Sequence, residues 1–579
     1  MIQELVEFGK RVTEGKSKAF VEEPFSIVIC IDTNGEFKGF ITGAEQFIEA
    51  PIVTEHKGGK GTIGIIKAKQ GHARFLLDKS EEVLGFGDSA NKKHGAFIEV
   101  LERYRGVQAL LPVFLFYNKK NKNGLEKAID AFSKLDKKFQ SGNITFMVDT
   151  TLLLKDDEVR FAISKLFEED ERNLLNGKTC SICGTSNSPV LDETHGSVKM
   201  PKGQKAGSAL VSYNEVAFES YGLKGNLNSS ICRECARNYI EGLSFLLTDR
   251  FQVEGKEKQK PYYHYNHRIN ISDTTVALFW TRESIEEFDP FVVYDVPDAS
   301  EVKNLIESVW AGKKDIIATV DTNMFYSCTL SSAAARIAVR DWTAISLEQY
   351  KKNLSEWFLD IEIEGKDKKL SYCSLKQLIN ATQKDKKPDE KPKSDLNSKA
   401  RIGACLWIAA IKGHSYKIPL EALQSVLIRL WKGDYLSVER AAIIKLIINR
   451  NTNKNMKSTL DETNTSVAYL CGRLFAVIEY MQWKAIGSVN SSVKDRFFTA
   501  AASQPAYIFG TLLTKNVPVY QHKIGGYLAK DLNEIAGLIS EKGKFPQRFT
   551  TIEQGEFALG YYFQRNHKRD NESSENINS

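Results

Sequence analysis

Between Gln383 and Lys399 the chain reads QKDKKPDEKPKSDLNSK, a stretch whose only apolar residue is one leucine. Such a segment buries too little surface to offset the entropy of ordering it, so residues 383–399 read as a solvated linker or loop. The hydrophobic pattern differs on its two sides, and this limits the fold more than any other feature. Beyond it, ACLWIAAIKG, LEALQSVLIRLW, VERAAIIKLIINR and GYLAKDLNEIAGLIS are amphipathic runs of helical length separated by short polar breaks. This predicts a helical bundle over 400–579. Within it Leu474, Val477, Ile478 and Met481 keep the i, i+3, i+4, i+7 spacing of one buried helical face.

The part before the linker mixes two periods. SIVICIDTNGEFKGFITG reads as two strands joined at Asn34 and Gly35, a pair suited to the positive φ angles of a tight hairpin. ALLPVFLFYN and NITFMVDTTLLL read as buried strands, with GLEKAIDAFSKLDKKF a helix between them. TTVALFWTR and MFYSCTL resume strand character further on. The predicted class is α+β: an N-terminal mixed α/β domain with a zinc-binding insertion, followed by a C-terminal helical bundle. A chain of 579 residues exceeds what one core serves. The expected division is 1–175 for the N-terminal domain, 176–250 for the insertion and 251–382 for the second part of the α+β body. The linker 383–399 and the bundle 400–579 follow.

The insertion is bracketed by Cys180 and Cys183 on one side and by Cys232 and Cys235 on the other. Each pair has two residues between its cysteines, a spacing that gives two sulfurs to one face of a tetrahedral ion, so the four read as ligands of a structural Zn2+. Gly184 suits a turn that aims backbone N–H groups at the sulfurs, and Arg233 would offset thiolate charge. Four thiolates leave no open position for catalysis. His195 reads as a surface or core residue, not a ligand. The other five cysteines stand in apolar contexts and read as small buried hydrophobes.

A formal charge of +6 permits nucleic-acid binding through local patches without requiring it. The richest patch, HKGGKGTIGIIKAKQGHARF, offers Lys57, Lys60, Lys67, Lys69 and Arg74 among glycines that let a phosphate backbone come close. It lacks the glycine placement of a nucleotide-binding loop. Asn91, Lys92 and Lys93, with His94, open a second candidate at a helix start. A third lies at Asn490, Ser491 and Ser492, capping residues followed by Lys494 and Arg496. PYYHYNH, ahead of Arg268, combines aromatic faces with histidines and reads as core or rim. No segment has the spacing of a zinc-protease helix, an esterase elbow, a deaminase or a helicase, so no enzymatic activity is expected. No apolar run is long enough to cross a bilayer, and the N-terminal segment lacks a cleavable apolar stretch, which predicts a cytoplasmic protein without membrane contact.

The stretch LCGRLFAVIEYMQWKAIGSVNSSVK, with DRFFTAAASQPAYIFGTLL and EQGEFALGYYFQR after it, resembles the C-terminal part of the type I-C CRISPR-associated large-subunit family. SALVSYNEVAFESYG resembles that family's central signature, and LSSAAARIAVRDW its arginine-bearing strand. The chain departs from the pattern at Ala333 to Ala335, where the family usually has an asparagine, and at Ser229 to Cys232, which replace a more apolar stretch. The resemblance implies a non-catalytic large subunit of Cascade, an RNA-guided antiviral surveillance complex. Its implied partners are the CRISPR RNA, backbone and RNA-processing subunits, target duplex DNA and a helicase-nuclease. It would recognise the protospacer-adjacent motif and promote R-loop formation. The N-terminal lysines would then read the duplex, while Arg473, Lys494, Arg496 and Lys523 follow single strand. It further implies a small subunit made from an internal start, for which Met456 is suitably placed, so that 456–579 would double as that protein. The other readings are a stand-alone zinc-containing DNA-binding regulator and a zinc-supported nuclease.

Overall fold

The computed structural model describes residues 1–15, 17–51, 73–87, 90–137, 140–173, 178–186, 195–213, 215–253, 262–284, 323–333, 335–384, 396–487, 489–526 and 528–575. The chain folds as two compact units, one of Met1–Thr248 with Ser332–Ala338, the other of Asp249–Ser331 with Val339–Ser579. The class is the expected one: mixed α/β, with a helical C-terminal region and the four cysteines clustered.

In the first unit Phe20–Ile31 and Phe37–Pro51 form the expected antiparallel hairpin, turning where Gly35 alone of the Asn34–Gly35 pair takes a positive φ. Asp32 holds this turn by accepting from the N–H groups of Asn34 and Glu36. The first strand also pairs in parallel with Ile144–Val148, which continues to Leu77–Asp78 and Thr151–Leu152. Ile27, Ile29, Phe97, Phe116, Phe132 and Phe146 are buried in its core.

One expected strand is a helix. ALLPVFLFYN forms a 3-10 turn at Gln108–Leu110 and an α-helix at Leu111–Phe116, with Pro112 in its first turn. A short apolar run does not by its period distinguish strand from helix. Proline, which lacks an N–H for a sheet ladder but fits the first helical turn, tips the balance.

The second unit holds most of a four-stranded sheet of Arg268–Asn270, Thr275–Thr281, Met324–Ala333 and Arg336–Ser346, of which Ser332–Ala338 belong to the first unit. Helices follow, among them Leu347–Ile361, Leu396–Lys412, Val438–Asn451, Val467–Ile486 and Thr551–Glu575. Leu474, Val477, Ile478 and Met481 are buried, as their spacing predicts. Of the expected linker, residues 396–399 are helical, being the first turn of Leu396–Lys412, and 385–395 lie outside the described residues.

Candidate metal centre and nucleic-acid interface

The first cysteine pair sits on a knuckle. The Gly184 N–H donates to the Cys180 carbonyl at 3.0 Å, the Cys180 N–H to Thr185 at 3.1 Å, and Gly184 turns with φ +72°. The knuckle is tied to the second pair through Ser181 N–H and the Ser230 carbonyl, 2.6 Å apart. Cys232 ends that approach and starts a helix: its carbonyl accepts from Ala236 N–H, and Arg233–Thr248 follows. Cys235, one turn in, therefore faces the same point. The four sulfurs lie within 4.8 Å of one another, and the Cys183 and Cys232 sulfurs are 3.9 Å apart. Metal–sulfur bonds of about 2.3 Å give a tetrahedron with edges of about 3.8 Å, so the set fits one ion.

The surroundings favour the thiolate at Cys183 and Cys232 and oppose it at Cys180 and Cys235. Backbone N–H groups of Ile182 and Cys232 point at the Cys180 sulfur at 3.4 and 3.3 Å, and that of Cys235 points at the Cys232 sulfur at 3.5 Å. A hydrogen bond from Cys235 lowers the Cys232 thiol to about 5; the same bond, with burial, pushes Cys235 well up, so Cys232 is the thiolate of that pair. Burial raises the Cys180 thiol. At Cys183 burial also raises the thiol, but hydrogen bonds from the Thr185 hydroxyl and backbone outweigh it and leave the thiol below its ordinary value. Cys180, Cys232 and Cys235 are buried and Cys183 reaches the surface. The arrangement can hold a metal and stiffen the chain around it. His195 is a core residue, its Nδ1 3.0 Å from the Tyr239 hydroxyl, and burial lowers it to about 4.

The cluster is not an isolated insertion. Its helix packs along Ile2–Val12, where a β-carbon on Gly9 would lie 1.8 Å from the Asn238 carbonyl oxygen. Arg237 donates to the Ser17 and Lys18 carbonyls, and Lys18 pairs with Glu234 at 2.6 Å. No run between residues 176 and 250 signals this docking. The glycines at 9 and 242 are its trace in the sequence, each placed where the two backbones touch.

The expected basic positions have different fates. Lys57, Lys60, Lys67 and Lys69 lie outside the described residues. Arg74 is held by Glu23 at 2.7 Å and Lys93 by Glu81 and Glu82. Asn91, Lys92 and Lys93 occupy the first turn of Ala90–Glu102. Arg473 is 4% exposed, and its Nε donates to Gln564 at 2.8 Å inside the helical core. Lys494 is half-buried near the rings of Tyr435 and Phe498, and burial, aided by Arg565, lowers its pKa. Arg496 and Lys523 are exposed.

The start of Val493–Ser503 is also not an open phosphate site. Ser492 and Asp495 form a reciprocal capping box, and the Val493 N–H donates to Gln482 at 2.7 Å. The N–H groups of Ser492, Val493 and Asp495 are occupied, and the carboxylate of Asp495 stands where an anion would. The Ser-x-x-Asp spacing carried that signal in the sequence.

A family model described as CRISPR-associated protein (Cas_Csd1) matches residues 5–568. No curated protein matches the chain. Among the described residues no helix is long and apolar enough to cross a membrane.

Proposed function

Because the chain belongs to the CRISPR-associated Cas_Csd1 family, we propose that it is the non-catalytic large subunit of a type I-C Cascade, an RNA-guided surveillance complex of the cytoplasm. The observation that carries this reading is the extent of the family match, 5–568, which takes in residues of both units. In such a complex the guide RNA reads the target sequence by pairing. The protein recognises a short motif in the flanking duplex, helps it open and recruits the helicase-nuclease. Lys57, Lys60, Lys67, Lys69, Asn91, Lys92 and Lys93 are the candidate duplex contacts, Lys93 only by exchanging its carboxylate partners for phosphate. Arg496 and Lys523 are the exposed candidates for displaced strand.

Cys180, Cys183, Cys232 and Cys235 hold one Zn2+ in a closed, structural site, where metal binding becomes folding free energy of the surrounding chain. A start at Met456 makes a second product of about 124 residues. Met456 is buried, and such a product lacks Lys454, the partner of the buried Glu556, so it is stable only once that face is re-covered. Intact masses of the C-terminally tagged gene product test this, Met456→Leu abolishing the smaller species.

Motif reading is tested by offering the assembled complex target duplexes with randomised flanking bases and sequencing those retained. A short enriched motif is expected. A flat distribution, with target binding intact, contradicts it.

A further inference from the structure

Tyr221 is 98% exposed and has a φ of +52°, in the left-handed region that bulky residues avoid. It is followed by Gly222 at φ +73°, and the Leu223 N–H donates to the Ser220 carbonyl at 2.9 Å. Two successive positive φ angles closed by that bond make a type I′ turn, whose first central position ordinarily takes asparagine, aspartate or glycine. A tyrosine there costs about 1–3 kcal/mol, and with the ring in water no packing of its own offsets it. The surrounding chain imposes the conformation. Asn228 accepts from Ser220 N–H at 2.8 Å and donates to the carbonyls of Leu223 and Gly225, while Glu219 accepts from Gly225 N–H at 2.9 Å. The ring is therefore presented on a braced turn.

The turn has cationic company within the same unit. Val198 and Ser208 bridge across a loop bearing Lys199, Lys202 and Lys205, all exposed, with Lys202 itself at φ +53°. The next residue, Ala209, pairs with Arg336, and the Arg336 guanidinium lies 4.1 Å from the ring centre of Phe218, itself 40% exposed. Lys224 is exposed one residue after the turn. Among the described residues no ion pair engages Lys199, Lys202, Lys205 or Lys224, whereas Arg74 and Lys93 are held by carboxylates. Of the nearby acids, Glu219 is occupied by Gly225 and Glu215 is exposed.

An exposed aromatic on a braced turn, followed by Lys224 and linked through Phe218, Arg336 and Ala209 to the loop of Lys199, Lys202 and Lys205, has the parts of a stacking platform with an electrostatic rail. We propose that this face, Tyr221 and Phe218 flanked by Lys199, Lys202, Lys205 and Lys224, binds a single-stranded polynucleotide, with a base on the Tyr221 ring and phosphates along the lysines. The named groups read a π face and a phosphate, both common to RNA and DNA, and none reads a 2′-hydroxyl. The site is distinct from the basic positions assigned above. It rests on the proposed function only for the class of ligand, and binding here and assembly with a guide RNA can fail separately.

The test uses the full chain with fluorescent oligouridylate and oligothymidylate of equal length. Tyr221→Asn suits the turn better than tyrosine, so it should melt no lower than the wild type while binding at least about fivefold more weakly, the lower end of one lost base stack. Tyr221→Phe should bind as the wild type. Lys202→Ala with Lys205→Ala should flatten the salt dependence. Oligonucleotides carrying 5-iodouracil should photocrosslink at Tyr221. Unchanged binding by a folded Tyr221→Asn, crosslinks confined to other residues, or more than tenfold preference for one sugar would overturn the proposal.

Discussion

Gly9 and Asn238 touch backbone to backbone: a β-carbon on the first would sit 1.8 Å from the carbonyl oxygen of the second. Through that contact the opening helix of the chain braces the helix that carries Cys232 and Cys235. Gly9→Ala must push the helices apart, an overpacking that costs about 1–3 kcal/mol. Thermal unfolding should fall by several degrees, and the variant should release its metal to a chelator faster than the wild type. An unchanged melting curve and release rate would show that the helices tolerate separation.

One zinc per chain is expected on metal analysis of the purified protein. Cys180→Ser should lose most of it and lower the melting temperature, because Cys180 is buried and its sulfur accepts from two backbone N–H groups. Cys183 is the exposed cysteine of the four, so thiol reagents should reach it first and slowly strip a bound ion. A Cys180→Ser protein with full metal content would remove the four-sulfur assignment.

Charge at the surface and charge in the core should separate in salt titrations of DNA binding. Replacing Lys57 and Lys60 by alanine should weaken binding to all sequences and reduce the slope of log K against log salt by up to about one unit for each phosphate no longer neutralised. Arg473→Ala should leave that slope unchanged and lower stability instead, since it orphans Gln564 in the core. The opposite pattern would mean that Arg473, not the glycine-lysine segment, meets the nucleic acid.

These contrasts mark what could be read in the chain. The hairpin through Gly35 and the buried face of Leu474, Val477, Ile478 and Met481 were legible because period and turn chemistry are local. The four cysteines were legible because their spacing is itself the geometry. The burial of Arg473 was not legible because Ala468–Ile478 is buried on every side, so this part of the helix carries no amphipathic contrast, and its partner Gln564 is distant in sequence. Arg74 likewise finds Glu23 only once strands pair. The helical ALLPVFLFYN turned on one proline whose meaning depends on the neighbouring fold.

The second unit holds a buried ion pair whose loss should be costly. Asp360 lies 2.6 Å from Arg450, a charge pairing not aligned as a hydrogen bond, and it accepts from Asn449 at 2.9 Å, with His414 3.4 Å away. Burial alone would raise the Asp360 carboxyl, but His414, Arg450 and Asn449 outweigh it and hold it below its ordinary value. A lowered carboxylate contributes stability that is present above its unfolded pKa of about 3.9 and is lost as pH falls through the folded value. Asp360→Asn should therefore cost about 3–5 kcal/mol at neutral pH by leaving Arg450 unpaired, and part of the loss should vanish in acid. Equal destabilisation at every pH in denaturant melts would rule out the charge as the cause.

The central claim is that this chain works around a guide RNA. Its most direct test is to purify the tagged chain from cells that also express Cascade backbone proteins and a CRISPR array, then sequence the RNA that remains bound. The account predicts stoichiometric backbone proteins and RNAs of one length class, each a spacer flanked by repeat-derived ends, with target duplex retained only when it matches that spacer. A chain that emerges alone, free of RNA, and binds or cuts a particular duplex by itself would contradict it.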